Sequence, residues 1–151
     1  MEARPYVAVV GPSEATAVEA AWAEAVGSLV AAQGAVLVCG GLGGVMEAAA
    51  RGAASVGGTV VGLLPGRERG EANPHVTVAI ATGMGEMRNA LVVRAADAVI
   101  AVGGAYGTLS EIAFALRTGV PVVGLGTWAL ADVIDAPDPE AAVALALELG
   151  R

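Results

Sequence analysis

Lysine does not occur in this 151-residue sequence; all eight basic residues are arginine. A lysine Schiff base is therefore excluded, and with it ordinary pyridoxal-phosphate and class I aldolase chemistry. A Walker A phosphate loop is excluded too, because it needs Gly-Lys-Ser/Thr. Aromatic residues are scarce at 3%, although 56% of the chain is hydrophobic, so the core must be built from Val, Leu, Ile and Ala. The one cysteine, Cys39, cannot form an intrachain disulfide, and its apolar surroundings in sequence mark it as a buried structural thiol. The one histidine, His75, lies in Glu-Ala-Asn-Pro-His and reads as an exposed loop residue; a histidine-based metal site is not expected. The net charge of −7 argues against nucleic acid or an anionic membrane surface as a partner, since both need clustered cations.

A charged n-region followed by an apolar h-region is also missing, so no signal peptide is expected. Formal charge is absent between Glu24 and Glu47, a stretch long enough to raise the question of a membrane span. Ser28, Gln33 and the break Gly40-Gly41-Leu42-Gly43-Gly44 instead divide it into a helix end and a short strand. The expectation is a cytoplasmic protein of one domain, residues 1–151.

Glycine is abundant, with 22 residues, many of them where apolar runs end. Strands are expected at Tyr6–Val10, Ala35–Cys39, Thr59–Leu64, Val76–Ala81, Ala98–Val102 and, last, Pro121–Leu125. Helices are expected at Ala15–Ala32, Gly44–Ala54, Gly85–Ala96, Thr108–Thr118 and Asp138–Leu149, with Arg67–Asn73 a loop. Continuous apolar strands alternating with helices imply an α/β fold: a Rossmann-like open parallel sheet covered on both faces. In such sheets ligands lie at the carboxyl ends of the strands. Three glycine turns follow strands here, at Gly11-Pro12-Ser13, Gly40–Gly44 and Gly103–Gly107, so all three should reach one edge. Backbone N–H groups at a strand-to-helix glycine turn face outward at the positive end of a helix dipole and suit a phosphate. A phosphorylated small molecule is the expected partner.

The usual dinucleotide mode does not fit. It needs G-x-G-x-x-G and an acidic residue about twenty positions later. The first turn has only Gly-Pro-Ser, and the second lacks the final glycine and is followed by a strand ending Leu63-Leu64-Pro65-Gly66. The third turn, Gly-Gly-x-x-Gly-Thr-x-x-Glu from Gly103 to Glu111, has two readings. Thr108 and Glu111 have the spacing of a capping box, and Glu111 equally suits a ligand. Arg88 favours the functional reading, because a cation in the first turn of a helix opposes the dipole. Arg94 reads as helix surface and Asp97 as a helix-end or turn residue. Ser13 reads as a cap of the first helix or a ligand donor. Tyr106 reads as a surface on which a base or pterin ring stacks, or as a core or rim aromatic.

These pieces together resemble the superfamily of LOG-type phosphoribohydrolases, often mislabelled lysine decarboxylases, and the related molybdenum-cofactor carrier proteins. The resemblance runs from about Tyr6 to Gly126. It rests on Gly40-Gly41-Leu42-Gly43-Gly44-Val45-Met46-Glu47, on Met87-Arg88-Asn89, and on Gly104-Ala105-Tyr106-Gly107-Thr108-Leu109-Ser110-Glu111. The hydrolase branch carries Met-His-x-Arg-Lys and Pro-Gly-Gly-x-Gly-Thr-x-Glu-Glu, whereas this chain has Glu86-Met87-Arg88-Asn89, Ala105 and Ser110. It is thus closer to the carrier-like branch. The resemblance implies a site of Gly41, Gly43, Gly44, Arg88, Asn89, Gly104, Gly107, Thr108 and Glu111, to which the readings of the first glycine turn and of the aromatic add Gly11, Ser13 and Tyr106. It would hold a nucleoside monophosphate or the molybdenum cofactor as ligand, with no further cofactor required. In an enzyme of the hydrolase branch, Arg88 and Glu111 would be catalytic and would release the base of a nucleoside 5′-monophosphate. The family commonly forms homodimers or larger homo-oligomers, and the stretch Phe114–Leu116 offers a helix face for such packing.

Overall fold

A computed structural model describes residues 3–150. Seven parallel strands form one sheet: β1 (Tyr6–Val10), β2 (Val36–Cys39), β3 (Val60–Leu64), β4 (Val78–Ala81), β5 (Ala98–Val102), β6 (Val122–Leu125) and β7 (Ile134–Asp135). Their order is β4-β3-β2-β1-β5-β6-β7. The helices are α1 (Ala17–Ala32), α2 (Val45–Ser55), α3 (Arg88–Arg94), α4 (Tyr106–Arg117) and α5 (Pro139–Leu149). This is the Rossmann-like α/β architecture read from the alternation of apolar strands and helices.

The strands are apolar along their whole length because side chains on both faces are covered. Val7, Val9, Leu37, Cys39, Ile100 and Val102 pack into a cluster with α1, α2 and α5. Their neighbours in sequence, Ala8, Val10, Val38, Val99 and Ala101, pack into a second cluster with α3 and α4. The β3–β4 connection carries only a short 3₁₀ turn, Arg69–Glu71, in place of a crossover helix. On edge strand β4, Val78 and Ile80 remain nearly half exposed. The charge-free stretch from Glu24 to Glu47 divides into the end of α1, β2 and the glycine turn, and no described helix is long and apolar enough to cross a membrane.

Strand order fixes where a ligand can enter. Chain order runs outward from β1 in one direction through β2 and β3, and the chain then returns to the other side of β1 as β5. The connections on the two sides of β1 therefore diverge and leave a crevice beyond the carboxyl ends of β1 and β5.

Three expectations need correction. Pro121–Leu125 is not the last strand: β7 adds to β6 through Val123–Ile134 and Gly124–Asp135. With two residues, one of them acidic, β7 has no periodic signal. The helix expected at Gly85–Ala96 is a 3₁₀ turn over Gly85–Met87 followed by a shorter α3. Gly85 has φ +60, outside the helical region, so the regular helix cannot begin there. The helix expected from Thr108 begins two residues earlier, at Tyr106.

The α1–α2 contact depends on two glycines. A Cβ on Gly27 would run into the Ala49 carbonyl, and one on Gly52 into the Glu24 carbonyl. The Arg51–Glu24 ion pair spans the same helices at 3.4 Å, but its side chains are 43% and 48% exposed. Exposed pairs contribute little, so close backbone approach governs this packing. Gly27→Ala should force the helices apart and lower stability by about 1–3 kcal/mol. Chemical denaturation will check this, and an unchanged midpoint would contradict it.

Candidate functional site

The crevice is a cleft of about 310 Å³. Its walls are supplied by Gly11, Pro12 and Ser13 after β1, Gly40 and Leu42 after β2, Pro65 after β3, Glu86, Arg88 and Asn89 at the start of α3, and Ala105, Gly107, Thr108 and Glu111 at the start of α4. The convergence of three glycine turns on one edge is thus observed.

Helix termini at this edge differ in how they are capped. The first N–H groups of any helix lack intrahelical partners and need a cap, water or a ligand. At α1, Thr16 and Glu19 form a full capping box: the Glu19 N–H donates to Thr16 Oγ1 at 3.1 Å and the Thr16 N–H to Glu19 Oε1 at 2.9 Å. At α5, Asp138 accepts from the Ala141 N–H at 2.8 Å. No side chain caps α2 or α4, whose N-cap residues are Gly44 and Ala105. α3 has no side-chain cap either, but it continues directly from the 3₁₀ turn over Gly85–Met87, whereas α2 and α4 start from the glycine turns that open on the cleft.

The capping-box reading of Thr108 and Glu111 is therefore wrong. Ala105 is the N-cap, which puts Thr108 in the third helical position, and its hydroxyl caps nothing. Thr108 is 2% exposed, and its Oγ1 is buried without a hydrogen-bond partner. Ser13 does not cap the first helix either, since Thr16 does; it lies exposed at the rim of the cleft.

The second glycine turn is held from both sides. Gly44 has φ +65, and a Cβ there would collide with the Pro12 carbonyl, which accepts the Val45 N–H at 3.0 Å. This ties the first turn to the start of α2. On the other side the Asn73 N–H donates to the Gly41 carbonyl at 2.8 Å, and its side-chain amide donates to the Leu42 carbonyl at 2.9 Å.

Arg88 supplies the cleft with a buried charge. It is 8% exposed, and its guanidinium donates to Asn89 Oδ1 and, at 3.4 Å, to the Gly40 carbonyl. Its Nε is buried with no partner. Burial lowers the Arg88 pKa, and the Glu111 carboxylate counteracts that shift. Burial also pushes Glu111 up to about 7, and the Arg88 charge pulls it back in part. Glu111 is thus a carboxyl group that changes charge near neutrality. Cys39 is fully buried, and burial raises its thiol to about 11, as expected for a structural cysteine.

Of the expected site residues, Gly11, Ser13, Arg88, Asn89, Gly107, Thr108 and Glu111 border the cleft. Gly41, Gly43, Gly44 and Gly104 belong to the turns behind its walls. Tyr106 points elsewhere: it is 84% exposed and stacks on Trp128, with ring centroids 6.1 Å apart. Trp128 also donates its indole N–H to the Ala105 carbonyl at 3.1 Å, which braces the third turn. The sequence reading missed Gly40, Leu42, Met46, Pro65, Glu86, Ala105 and Trp128. Gly40, Leu42, Met46, Glu86 and Ala105 lie within or beside the motifs quoted above, whereas Pro65 and Trp128 had no usable signal. Arg94 is exposed, as expected, and Asp97 accepts the Tyr6 N–H at the opposite edge of the sheet. His75 is half-buried rather than exposed. Phe114 and Leu116 pack partly against their own core.

The chain is similar to known proteins over nearly its whole length. The model of the SLOG cluster4 family (LDcluster4) matches residues 4–148. An uncharacterized protein of Archaeoglobus fulgidus is 49% identical over 119 residues, which cover 79% of this chain and 78% of that one. The molybdenum cofactor binding protein of the phototrophic bacterium Rippkaea orientalis superposes with a TM-score of 0.93 at 36% identity, covering 99% of both chains. The Moco carrier protein of Chlamydomonas reinhardtii gives 0.89 at 32% identity, covering 97% of this chain and 98% of that one.

The raised Glu111 pKa has a consequence for stability. Between the ordinary carboxylate value of 4.5 and about 7, the folded protein holds a proton that the unfolded chain has released. Stability should fall as pH rises through this window and level off above it. Glu111→Gln should flatten that slope and raise the melting temperature at pH 8. Thermal melts at pH 5, 6, 7 and 8 will check it; a parallel slope in both proteins would contradict it.

Proposed function

This chain belongs to the SLOG cluster4 family, and from that premise we propose that it is a carrier or sensor of a phosphorylated small molecule, either a molybdopterin-type cofactor or a nucleotide. One observation carries the reading: two helix N-termini without side-chain caps open on a cleft where the Thr108 hydroxyl and Arg88 Nε are buried and unpartnered. Buried polar groups without partners are costly, and a bound anion would satisfy them. In this reading the N–H groups of Gly107 and Thr108 and the Thr108 hydroxyl hold phosphate oxygens at the positive end of α4. The α2 terminus, shaped by Gly41, Gly43 and Gly44, adds a second set of donors. Gly11, Ser13 and Gly104 allow close approach of the backbone, and Arg88, oriented by Asn89, supplies positive charge. The two solved relatives, a molybdenum cofactor binding protein and a Moco carrier protein, support the choice of ligand class.

A second reading rests on Glu111, whose carboxyl titrates near neutrality beside Arg88. Such a group suits acid–base work. As a phosphoribohydrolase, the protein would let Glu111 take a proton from water as that water attacks the anomeric carbon of a nucleoside 5′-monophosphate. The bond from that carbon to the base nitrogen would break, and the base would leave with its electron pair and then be protonated. Free adenine from AMP, abolished by Glu111→Ala, would establish this activity; intact nucleotides across a panel would leave the carrier reading.

Thr108→Val separates a ligand group from a structural one. The two side chains match in shape, and the change removes a buried hydroxyl without a partner. The ligand-free variant should be at least as stable as the parent protein. Its affinity for a nucleoside monophosphate should fall about 10- to 100-fold, as expected for loss of a hydrogen bond to a charged group. Isothermal titration and thermal melts will check both; unchanged affinity would overturn the role of Thr108.

A further inference from the structure

The cleft continues into a narrow groove between α3 and α4. Glu86, Asn89 and Glu111 line both, and Met87, Ala90, Ser110 and Phe114 complete the groove. At about 150 Å³ the groove is smaller than a whole ligand site, which usually spans about 300–1,000 Å³. It therefore suits one part of a ligand whose remainder lies in the cleft. Met87, Ala90 and Phe114 give it apolar walls of the kind that accept a flat ring.

Its polar groups define the edge of that ring. The Glu86 side chain makes no hydrogen bond or ion pair with any described residue, its backbone carbonyl alone accepting the Arg88 N–H, so both carboxylate oxygens are open acceptors. Asn89 Oδ1 accepts from Arg88, which leaves the Asn89 amide nitrogen as a donor. A carboxylate in an anion-binding cleft repels the ligand unless the ligand brings donors to it. A phosphate alone brings none. Resting on the phosphate-binding reading above, we infer that the α3–α4 groove is a heterocycle subsite selective for a 2-amino-4-oxo-pyrimidine edge, the edge shared by guanine and pterins. Glu86 accepts from the ring N–H and the exocyclic amine, and the Asn89 amide donates to the ring carbonyl. Adenine offers neither the ring N–H nor the carbonyl.

Titration calorimetry of the full chain with GMP, IMP and AMP tests this. IMP keeps the ring N–H and carbonyl but lacks the exocyclic amine. The expected order is GMP tighter than IMP and IMP tighter than AMP, with GMP at least about 10-fold tighter than AMP. Glu86 is exposed, so Glu86→Gln should fold normally, and it should erase the difference between GMP and IMP. If the three nucleotides bind equally, or AMP binds tightest, the subsite is wrong while phosphate binding stands. If neither the nucleotides nor a pterin with a phosphorylated 6-side chain binds, both readings fall. A pterin with a phosphorylated 6-side chain identifies the source of the edge. Pterin binding tighter than GMP, and weakened by Glu86→Gln, supports the subsite and assigns it to pterins; pterin binding untouched by Glu86→Gln overturns it.

Discussion

Burying one guanidinium constrains this site more than any other interaction. Arg88 is held where little water reaches it, and a charge removed from water must find compensation in nearby dipoles and counter-charges. The structure brings these from three separate segments: the Gly40 carbonyl at the end of β2, the Asn89 side chain at the start of α3, and the Glu111 carboxyl in α4. Gly40 must be small for this, because a Cβ there would lie 2.7 Å from an Arg88 nitrogen. The compensation is incomplete, since Nε has no partner. One residue thus joins the second glycine turn to the third and leaves polar capacity facing the cleft.

The treatment of helix ends follows the same division. Two helices close their N-termini with their own side chains, Thr16 with Glu19 and Asp138. α2, α3 and α4, whose starts line the cleft, do not; α3 continues from a 3₁₀ turn, and α2 and α4 start from glycine turns. Uncapped N–H groups forgo stabilisation of about 0.5–2 kcal/mol per terminus. A sequence that caps α1 and α5 well has the means to cap the others. That it places Gly44 and Ala105 there is consistent with donors kept free for an anion. Trp128 and Asn73 hold the two turns in place without using those donors.

Much of this was legible in the sequence. The alternation of buried strands and helices gave the fold, because period and turn chemistry agree along most of the chain. The glycine turns gave the edge, and Arg88 stood out because a cation at a helix start opposes the dipole. The start of α4 was not legible. Thr108 and Glu111 have the spacing of a capping box, yet tertiary packing around Gly103, Ala105 and Trp128 starts the helix at Tyr106. Tyr106 is next to Gly107 in sequence but turns toward Trp128, and no local pattern records that choice. Pro65, Met46 and Glu86 reach the cleft from three different elements, so only the folded chain unites them.

The central claim is that the uncapped ends of α2 and α4 hold an anion while the capped ends of α1 and α5 do not. Backbone amide NMR during titration with inorganic phosphate, then GMP, reads those groups one by one. The account predicts that the N–H resonances of Met46 and Glu47 in α2, and of Gly107 and Thr108 in α4, move together with saturation. Those of Glu19 and Ala141, which already donate to their caps, should stay in place. Movement at Glu19 and Ala141 with none at Gly107 and Thr108 would contradict it.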